Sequence, residues 1–221
     1  MNEVLVAVIV FIVSFLLGSI PFGLIISKLF YRKDIREHGS GNIGTTNALR
    51  TLGKVGGGAV FVLDFLKGFC SGFLAMGACW YLMPGGGLSS DRVIDYWAIL
   101  GFAFLGCTLG HIFSPWLKFK GGKGIAVAVG CFFVTLGPLA AIIALAIFGV
   151  LVVLTRYVSI GSIVAALSCP FLALWFVPGH WLAIVLCSVT GLVITFAHRD
   201  NILRLANGTE NRIGGKKKEQ S

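Results

Sequence analysis

The sequence predicts an all-α integral membrane protein with seven transmembrane helices, the N-terminus outside and the C-terminus in the cytoplasm. Three observations lead to this fold class. Hydrophobic residues make up 57% of the 221 residues and charged residues 12%, against about 25% charged in an average soluble domain. The mean hydropathy is +0.91. The apolar residues are also collected in runs near the roughly 20 residues that cross a bilayer. This composition excludes a soluble globular domain, a disordered chain and a coiled coil.

Five apolar runs predict membrane spans directly. The first run is longer than the apolar core of a signal peptide and lacks the basic residues that precede one. We therefore expect it to be an uncleaved first span. The five runs are residues 4–30, 55–83, 97–116, 161–177 and 181–197.

The run over residues 125–154 predicts two short spans. Its 30 residues would make a helix of about 45 Å, which is too long for one upright crossing. Gly137 and Pro138 lie inside it, and proline favours the first turn of a new helix. We expect spans at about residues 121–136 and 138–155.

The distribution of basic residues supports the split. With two spans in this region, the Lys and Arg residues of the predicted loops and of the tail 216–218 lie on one side, except Arg92. With one span, Arg156 and the tail would move to the other side. The positive-inside rule therefore favours seven spans and a cytoplasmic C-terminus.

Charge and cysteine usage limit the classes of partner. The net charge of +9 in a membrane chain indicates topology and anionic ligands rather than nucleic acid. The six cysteines lie in apolar runs without a C-x-x-C pair, so no metal site and no disulfide framework are expected. The short outer loops leave one domain, residues 1–221.

The first inner segment, residues 38–50, has the composition of an anion-binding loop. Its glycines allow backbone N–H groups to turn toward one point, and its hydroxyl, amide and guanidinium groups add donors. A tight connecting loop uses the same residue types, but the density of donors favours a ligand site. The candidates are Ser40, Gly41, Asn42, Thr46, Asn47 and Arg50.

The second inner segment, residues 118–124, reads KFKGGKG. A glycine-rich turn that leads into a helix N-terminus suits an anion, although the spacing is not that of a Walker A loop. Lys118 and Lys120 fit a membrane-surface anchor equally well. We predict phosphate binding by Gly121, Gly122, Lys123 and Gly124.

The third inner segment, residues 198–210, carries functional candidates on a predicted helix. At helical spacing His198 and Asn201 share a face, as do Asn201 and Arg204. A histidine at the membrane edge accepts a proton near neutral pH. A flank that fixes topology explains Arg199, but it explains His198, Asn201 and Glu210 less well.

Asp64 and Lys67 lie three residues apart inside the second span. They can pair on one helix face, which lowers the cost of burying either charge. A functional pair and a structural brace both remain open. Ser159 and Ser162 offer further donors, and His111 is expected to be a residue of the helix bundle.

The three inner segments, together with the sequence GSIPFG at 18–23, resemble the bacterial membrane acyl-phosphate-dependent glycerol-3-phosphate acyltransferases. The resemblance extends over nearly the whole chain. It implies a multi-pass enzyme of the bacterial inner membrane that transfers a fatty acyl group from acyl phosphate to the sn-1 hydroxyl of glycerol 3-phosphate. The implied products are lysophosphatidate and phosphate, and no cofactor is implied.

The resemblance also implies roles for the candidates. Residues 118–124 would cradle the acyl phosphate, and the first segment, which includes Arg50, would bind phosphate. His198 and Asn201 would orient or deprotonate the glycerol hydroxyl as catalytic residues, with Arg204 near a phosphate. Asp64, Lys67 and Glu210 would support the site.

Two other classes of protein remain as alternatives. A transporter or exchanger of phosphorylated metabolites would fit the interrupted spans and the buried charged pair. However, transporter sites lie at the midplane between repeats, whereas these polar residues crowd one surface. A non-catalytic scaffold for lipid head groups would explain the basic tail but not the clustered Asn, Thr and Gly.

Overall fold

The computed structural model describes residues 2–83 and 94–214, and these residues form helices joined by short turns. Arg92 and the basic residues 216–218, which contribute to the topology argument, lie outside this part of the chain. Short 3₁₀ turns occur at Ile35–Glu37 and Pro115–Leu117. The α-helices are α1 Glu3–Ser19, α2 Phe22–Tyr31, α3 Thr45–Thr51, α4 Gly53–Leu82, α5 Tyr96–Ile112, α6 Ile125–Thr135, α7 Pro138–Thr155, α8 Val158–Phe176, α9 Trp181–Ala197 and α10 Arg199–Ala206.

The first predicted span is broken rather than continuous. Helix α1 ends at Ser19 and α2 begins at Phe22, because Pro21 has no N–H to continue the helical hydrogen bonds. The break leaves two carbonyl oxygens free to accept hydrogen bonds from side chains. Ser114 Oγ donates to Ser19 O at 2.7 Å, and Lys67 Nζ donates to Ile20 O at 2.8 Å.

The predicted corner at residue 137 is confirmed. Helix α6 ends at Thr135 and α7 begins at Pro138, with Gly137 between them at φ +88°. However, α6 has 11 residues and is therefore about 16 Å long, roughly half the hydrocarbon core. Residues 121–124, which were expected to begin this span, are not helical. They lead into α6 as an irregular segment.

Five helical stretches of the described chain are long and apolar enough to cross a membrane. The first combines α1 with α2, and the others contain α4, α5, α7 and α8. A sixth arises if α9 is joined to α10 across a bend of 54°. The prediction of several apolar membrane spans is thus confirmed for five helical stretches, or for six if α9 and α10 form one span.

Glycines allow two helix pairs to pack with their backbones in contact. A Cβ atom on Gly18 of α1 would lie 2.0 Å from a carbonyl oxygen of α5, and a Cβ atom on Gly110 of α5 would lie 2.0 Å from one of α1. Gly68 of α4 and Gly130 of α6 are related in the same reciprocal way. Small residues at such interfaces are typical of membrane helices, whose association depends on close packing. These contacts fix α5 and α6, whose ends carry the second inner segment.

Candidate active site

All three inner segments meet at one cavity of about 240 Å³. The first contributes the loop before α3 and the beginning of that helix, the second contributes Lys123 and the first turn of α6, and the third contributes α10 and the residues after it. The polar lining residues are Ser40, Asn42, Thr45, Thr46, Asn47, Arg50, Asp64, His111, Lys123, Ser159, Ser162, His198, Asn201, Arg204, Glu210 and Asn211.

The same cavity continues between the helices as an apolar slot. Phe104 and Phe132 pack against each other in its wall, with ring centroids 5.4 Å apart. Further lining comes from α4, α6, α7 and α8, and it is almost free of polar groups. These residues are Phe61, Val129, Ala144, Leu145, Phe148, Ala165, Ala166 and Cys169. The cavity can therefore hold a molecule with an anionic head and a long apolar tail.

A second, smaller cavity of about 120 Å³ adjoins the polar end of the first. Both cavities are lined by Ser40, Asn42, Lys123 and Arg204. The second adds Gly41 and Asp200. Two neighbouring spaces that share two cations can hold two anionic groups close together.

A chain of hydrogen bonds connects the second and third segments. Lys123 Nζ donates to Asn201 Oδ1, and Asn201 Nδ2 donates to Glu210 Oε1 at 2.8 Å. The other Glu210 oxygen accepts from Arg204 Nε at 2.7 Å. Glu210 therefore orients both Asn201 and Arg204. Burial, together with the nearby charge of Arg204, lowers the pKa of Lys123 to about 8.

His198 is buried at the junction of α9 and α10. Its Nδ1 lies 2.8 Å from the carbonyl oxygen of Ile194 and donates to it, because a carbonyl only accepts. Burial lowers the pKa of His198 to about 4, against the opposing effect of this hydrogen bond. At neutral pH the ring is uncharged, and Nε2 is left as an acceptor for a hydroxyl group.

Asn47 holds the first segment in shape. Its Nδ2 donates to the backbone oxygens of Asn42 at 2.8 Å, His38 at 3.0 Å and Ile35 at 3.2 Å. Its Oδ1 accepts from the N–H of Ser40 at 2.9 Å. The polar atoms of Asn47 are thus engaged by the loop, and this arrangement favours a positioning role over the predicted direct contact with phosphate.

The glycine-rich loop also differs from the expectation that its N–H groups converge on an anion. The N–H of Ser40 points to Asn47, that of Gly41 to the His38 carbonyl, and that of Gly44 to Asn42 Oδ1. These three N–H groups are therefore not available to an anion, which leaves the side chains as the candidate donors of this loop. Thr45 Oγ1 is buried in the cavity lining and has no hydrogen-bond partner within the described part of the chain.

Gly121 and Gly122 serve close packing. Their N–H groups donate to the carbonyl oxygens of Ile112 at 2.9 Å and His111 at 3.0 Å. A Cβ atom on Gly121 would lie 2.0 Å from the His111 carbonyl oxygen. The N–H groups of Gly121 and Gly122 are therefore not available to an anion, whereas Lys123 lines the cavity and Gly124, at φ +81°, precedes the first turn of α6.

The predicted pair of Asp64 and Lys67 is confirmed, and it extends to a third side chain. Lys67 Nζ lies 2.9 Å from Asp64 Oδ1 and 2.9 Å from His111 Nδ1. All three side chains are buried, and Asp64 and His111 line the cavity. The sequence analysis placed His111 in the bundle but missed its place in the site, because nothing local in the sequence connects it to Lys67.

Comparison with known proteins decides the family. A family model described as Glycerol-3-phosphate acyltransferase matches residues 8–208. This chain belongs to the glycerol-3-phosphate acyltransferase family.

Curated members of the acyltransferase family align over nearly their whole length. A glycerol-3-phosphate acyltransferase of Rhodopseudomonas palustris (strain BisB5) is 41% identical over 206 residues, which cover 93% of this chain and 95% of the relative. Glycerol-3-phosphate acyltransferase 2 of Bacillus anthracis is 40% identical over 202 residues, covering 91% and 96%. The family match over residues 8–208 therefore includes the first two inner segments and most of the third.

Solved structures of the acyltransferase family confirm the fold. A crystal structure of PlsY, an integral membrane glycerol 3-phosphate acyltransferase, in its glycerol 3-phosphate form has a TM-score of 0.79 and 38% identity, covering 93% of this chain and 94% of that one. The lysophosphatidic acid form of PlsY has a TM-score of 0.77 and 37% identity, with the same coverage. With its long apolar helices, this member of the family is a multi-pass membrane protein.

Proposed function

We propose that the protein transfers a fatty acyl group from acyl phosphate to the sn-1 hydroxyl of glycerol 3-phosphate. The products are lysophosphatidate and inorganic phosphate. One observation carries this proposal: the cavity joins a polar end with Arg50, Lys123 and Arg204 to a slot lined by apolar side chains. The adjoining smaller cavity supplies room for a second phosphate. The family to which the chain belongs supports glycerol 3-phosphate as the acceptor.

The reaction needs no covalent enzyme intermediate. The acceptor hydroxyl oxygen attacks the acyl carbonyl carbon, a new ester C–O bond forms, and the C–O bond to phosphate breaks with its electron pair on the phosphate. The hydroxyl proton ends on the released phosphate dianion, which is a stronger base than an imidazole whose pKa is lowered to about 4. His198, with a pKa of about 4, is the weaker base and holds the hydroxyl through Nε2. Positioning of this kind can supply about 7–11 kcal/mol of barrier lowering.

The candidate residues bind different parts of the two substrates in this proposal. Lys123, Gly124 and Arg204 hold the acyl phosphate at the start of α6. The first segment holds the second phosphate through the side chains of Ser40, Asn42, Thr46 and Arg50, with Gly41 shaping the loop and Asn47 bracing it. Asn201 joins His198 as a catalytic residue at the acceptor hydroxyl, and Glu210 fixes Asn201 and Arg204.

We also propose the finer topology. Helix α6 makes a shortened crossing that brings the number of crossings to seven. The N-terminus lies outside, and the active site, with the segment before α6, faces the cytoplasm. Residues 1–221 form a single domain of a bacterial inner-membrane enzyme, with membrane lipid around it. The crowding of the cationic residues at one end of the described helices supports this orientation through the positive-inside rule.

A donor assay on detergent-solubilised protein tests the proposed reaction. Radiolabelled glycerol 3-phosphate is supplied with palmitoyl phosphate, palmitoyl-CoA or palmitoyl acyl carrier protein. We expect labelled lysophosphatidate with palmitoyl phosphate and at most trace product with the thioesters. Product formed only from a thioester would overturn the proposed donor. A transporter would form no lipid in the absence of a sealed compartment.

The activity is expected to decline at alkaline pH because Lys123 loses its proton. Its pKa of about 8 means that the ammonium charge is largely present at pH 7 and is lost as the pH rises through 8. The profile of kcat/KM reports groups of the free enzyme, so kcat/KM should fall about tenfold between pH 7 and 9. The variant Lys123→Arg keeps its charge and should have a flatter profile. An equal fall in both proteins would assign the decline to another group.

The length of the acyl chain should depend on Phe132. This side chain lies seven residues into α6, about 10 Å from the start of the helix, and its ring packs on Phe104 in the slot wall. Phe132→Ala should lengthen the slot by about two CH₂ groups. The ratio of kcat/KM for long over short acyl phosphates should then rise about 15-fold, since each buried CH₂ contributes about 0.8 kcal/mol. The neighbouring Phe133 packs on Phe65 instead, so Phe133→Ala is the matched control. The same shift in both variants would contradict the assignment.

A further inference from the structure

We propose that Arg212 and Tyr157 are positioning residues for the acyl transfer. Together they fasten residues 209–213, which we call the strap, to the start of α8. The strap carries Glu210, and through Glu210 it fixes the position of the site residues on α10. This inference rests on the proposed function, because it names groups that support the candidate residues of that reaction.

Helix α10 has little packing of its own to fix its position. It is eight residues long, and Asn201 is its only buried residue. Its axis is bent by 54° from that of α9, and its apolar residues Ile202 and Leu203 are exposed. So short a helix depends on tertiary contacts for its stability. The contacts at its ends therefore decide where Asn201 and Arg204 lie.

The first half of the strap is bound to α10. The N–H of Thr209 donates to the carbonyl oxygen of Arg204 at 2.8 Å. Glu210 accepts from Asn201 Nδ2 at 2.8 Å and from Arg204 Nε at 2.7 Å. Because the two side chains of α10 bind the same carboxylate, displacement of Glu210 would release both of them together.

The second half of the strap is bound to the corner between α7 and α8. The N–H of Ile213 donates to the carbonyl oxygen of Arg156 at 2.8 Å. The Arg212 guanidinium lies over the Tyr157 ring, with Cζ 5.8 Å from the ring centroid, which is within the range of a cation–π interaction. The strap is thus tied to α10 at one end and to the start of α8 at the other.

The strap also belongs to the wall of the cavity. Glu210 and Asn211 line the cavity, and so do Val158 and Ser159 in the first turn of α8. The strap therefore connects two sides of the candidate active site. If its tie to α8 were lost, Glu210 would lie on a segment held at one end only.

The exposure of the strap makes it sensitive to the loss of a single contact. Apart from Glu210, its residues are exposed. Exposed segments near a chain end open with a small free energy, so the loss of one contact lowers the bound fraction by much of the corresponding factor. For a cation–π contact at an exposed site, that factor is about two- to fivefold.

The first test compares removal of the cation–π contact with its conservative replacement in the acyl phosphate assay. Arg212→Gln and Tyr157→Leu should each lower kcat/KM about two- to fivefold. Arg212→Lys keeps a cation and Tyr157→Phe keeps the ring, so both should stay within about 1.5-fold of the parent protein. Folding is checked by thermal unfolding in detergent.

Arg199→Gln is the matched control for Arg212→Gln. Arg199 is an exposed arginine that also lies over a ring, that of Phe196, at 4.9 Å. Among the described residues, neither Arg199 nor Phe196 lines a cavity. The control should therefore leave kcat/KM unchanged.

The second test determines whether Arg212 acts through Glu210. Glu210→Ala removes the hydrogen bonds that a charged group makes to α10, and it should lower kcat/KM about 10- to 100-fold. In that background Arg212→Gln should have no further effect, because the strap no longer holds the side chains of α10. Independent sites give additive effects, so full additivity of the two losses would overturn the inference.

The outcomes separate this inference from the proposed function. A folded Arg212→Gln protein with the kcat/KM of the parent would overturn the positioning role and leave the proposed function standing. An equal loss in Arg212→Lys and Arg212→Gln would do the same, because lysine keeps the cation. A parent protein that makes no lysophosphatidate from palmitoyl phosphate would overturn both.

Discussion

The replacement of Lys123 with methionine is expected to lower kcat/KM for acyl phosphate and glycerol 3-phosphate by about 100- to 1,000-fold. Lys123 lines both cavities, so its ammonium group is near both proposed phosphates and near the charge that develops on the leaving phosphate. Methionine keeps most of the length and apolar character of the side chain but removes the charge. The measurement is steady-state kinetics with both substrates varied.

Lys120→Met is the matched control for that variant. Lys120 belongs to the same segment and is exposed, and among the described residues it lines neither cavity. Its loss should change kcat/KM by less than about threefold, since an exposed lysine makes only a small electrostatic contribution. Equal losses in the two variants would show that the segment binds the membrane surface rather than the substrate.

The second large effect is expected from Lys67→Met, on stability. This variant leaves the Asp64 carboxylate buried without its cation, and the loss of one partner from a buried ion pair costs about 3–5 kcal/mol. The free energy of unfolding should fall by that amount when the protein is titrated with denaturing detergent. A variant as stable as the parent would show that Asp64 is not charged in the fold.

The double variant Asp64→Leu/Lys67→Met separates the two roles left open by the sequence. Replacement of both charges by apolar side chains is often neutral for stability, so we expect most of the lost stability to return. If the pair were only a brace, activity would return as well. We expect kcat to stay low, because Asp64 and His111 line the cavity and the double variant removes both the Asp64 carboxylate and the Lys67 contact with His111.

The sequence predicted the features of this protein that depend on local patterns. Apolar runs identified the long membrane helices, and the Gly137–Pro138 pair identified the corner between α6 and α7. The grouping of three polar segments at one cavity was also predicted correctly. These features follow from residue types that act within a few positions of one another.

The features that the sequence did not predict depend on contacts between distant parts of the chain. Gly121 and Gly122 suggested anion binding, but they are glycines because α5 packs against them. His111 lies outside the three inner segments in the sequence. In the fold, however, its carbonyl oxygen and its ring both contact the second segment. The break after Ile20 was not predicted, because residues 4–30 were expected to be one continuous span. Lys67 donates a hydrogen bond to the Ile20 carbonyl oxygen at this break, a contact between residues 47 positions apart.

The reciprocal glycine contacts of α1 with α5 and of α4 with α6 have an evolutionary consequence. Where main chains touch, we expect almost no substitution to be tolerated, so the spacing of the three inner segments should change little. Helix α7 has only three buried residues, Ala140, Ala141 and Ala144, so most of its positions can vary among apolar side chains. In the proposed acyltransferase, we therefore expect the wall of the apolar slot to vary more readily than the geometry of its polar end.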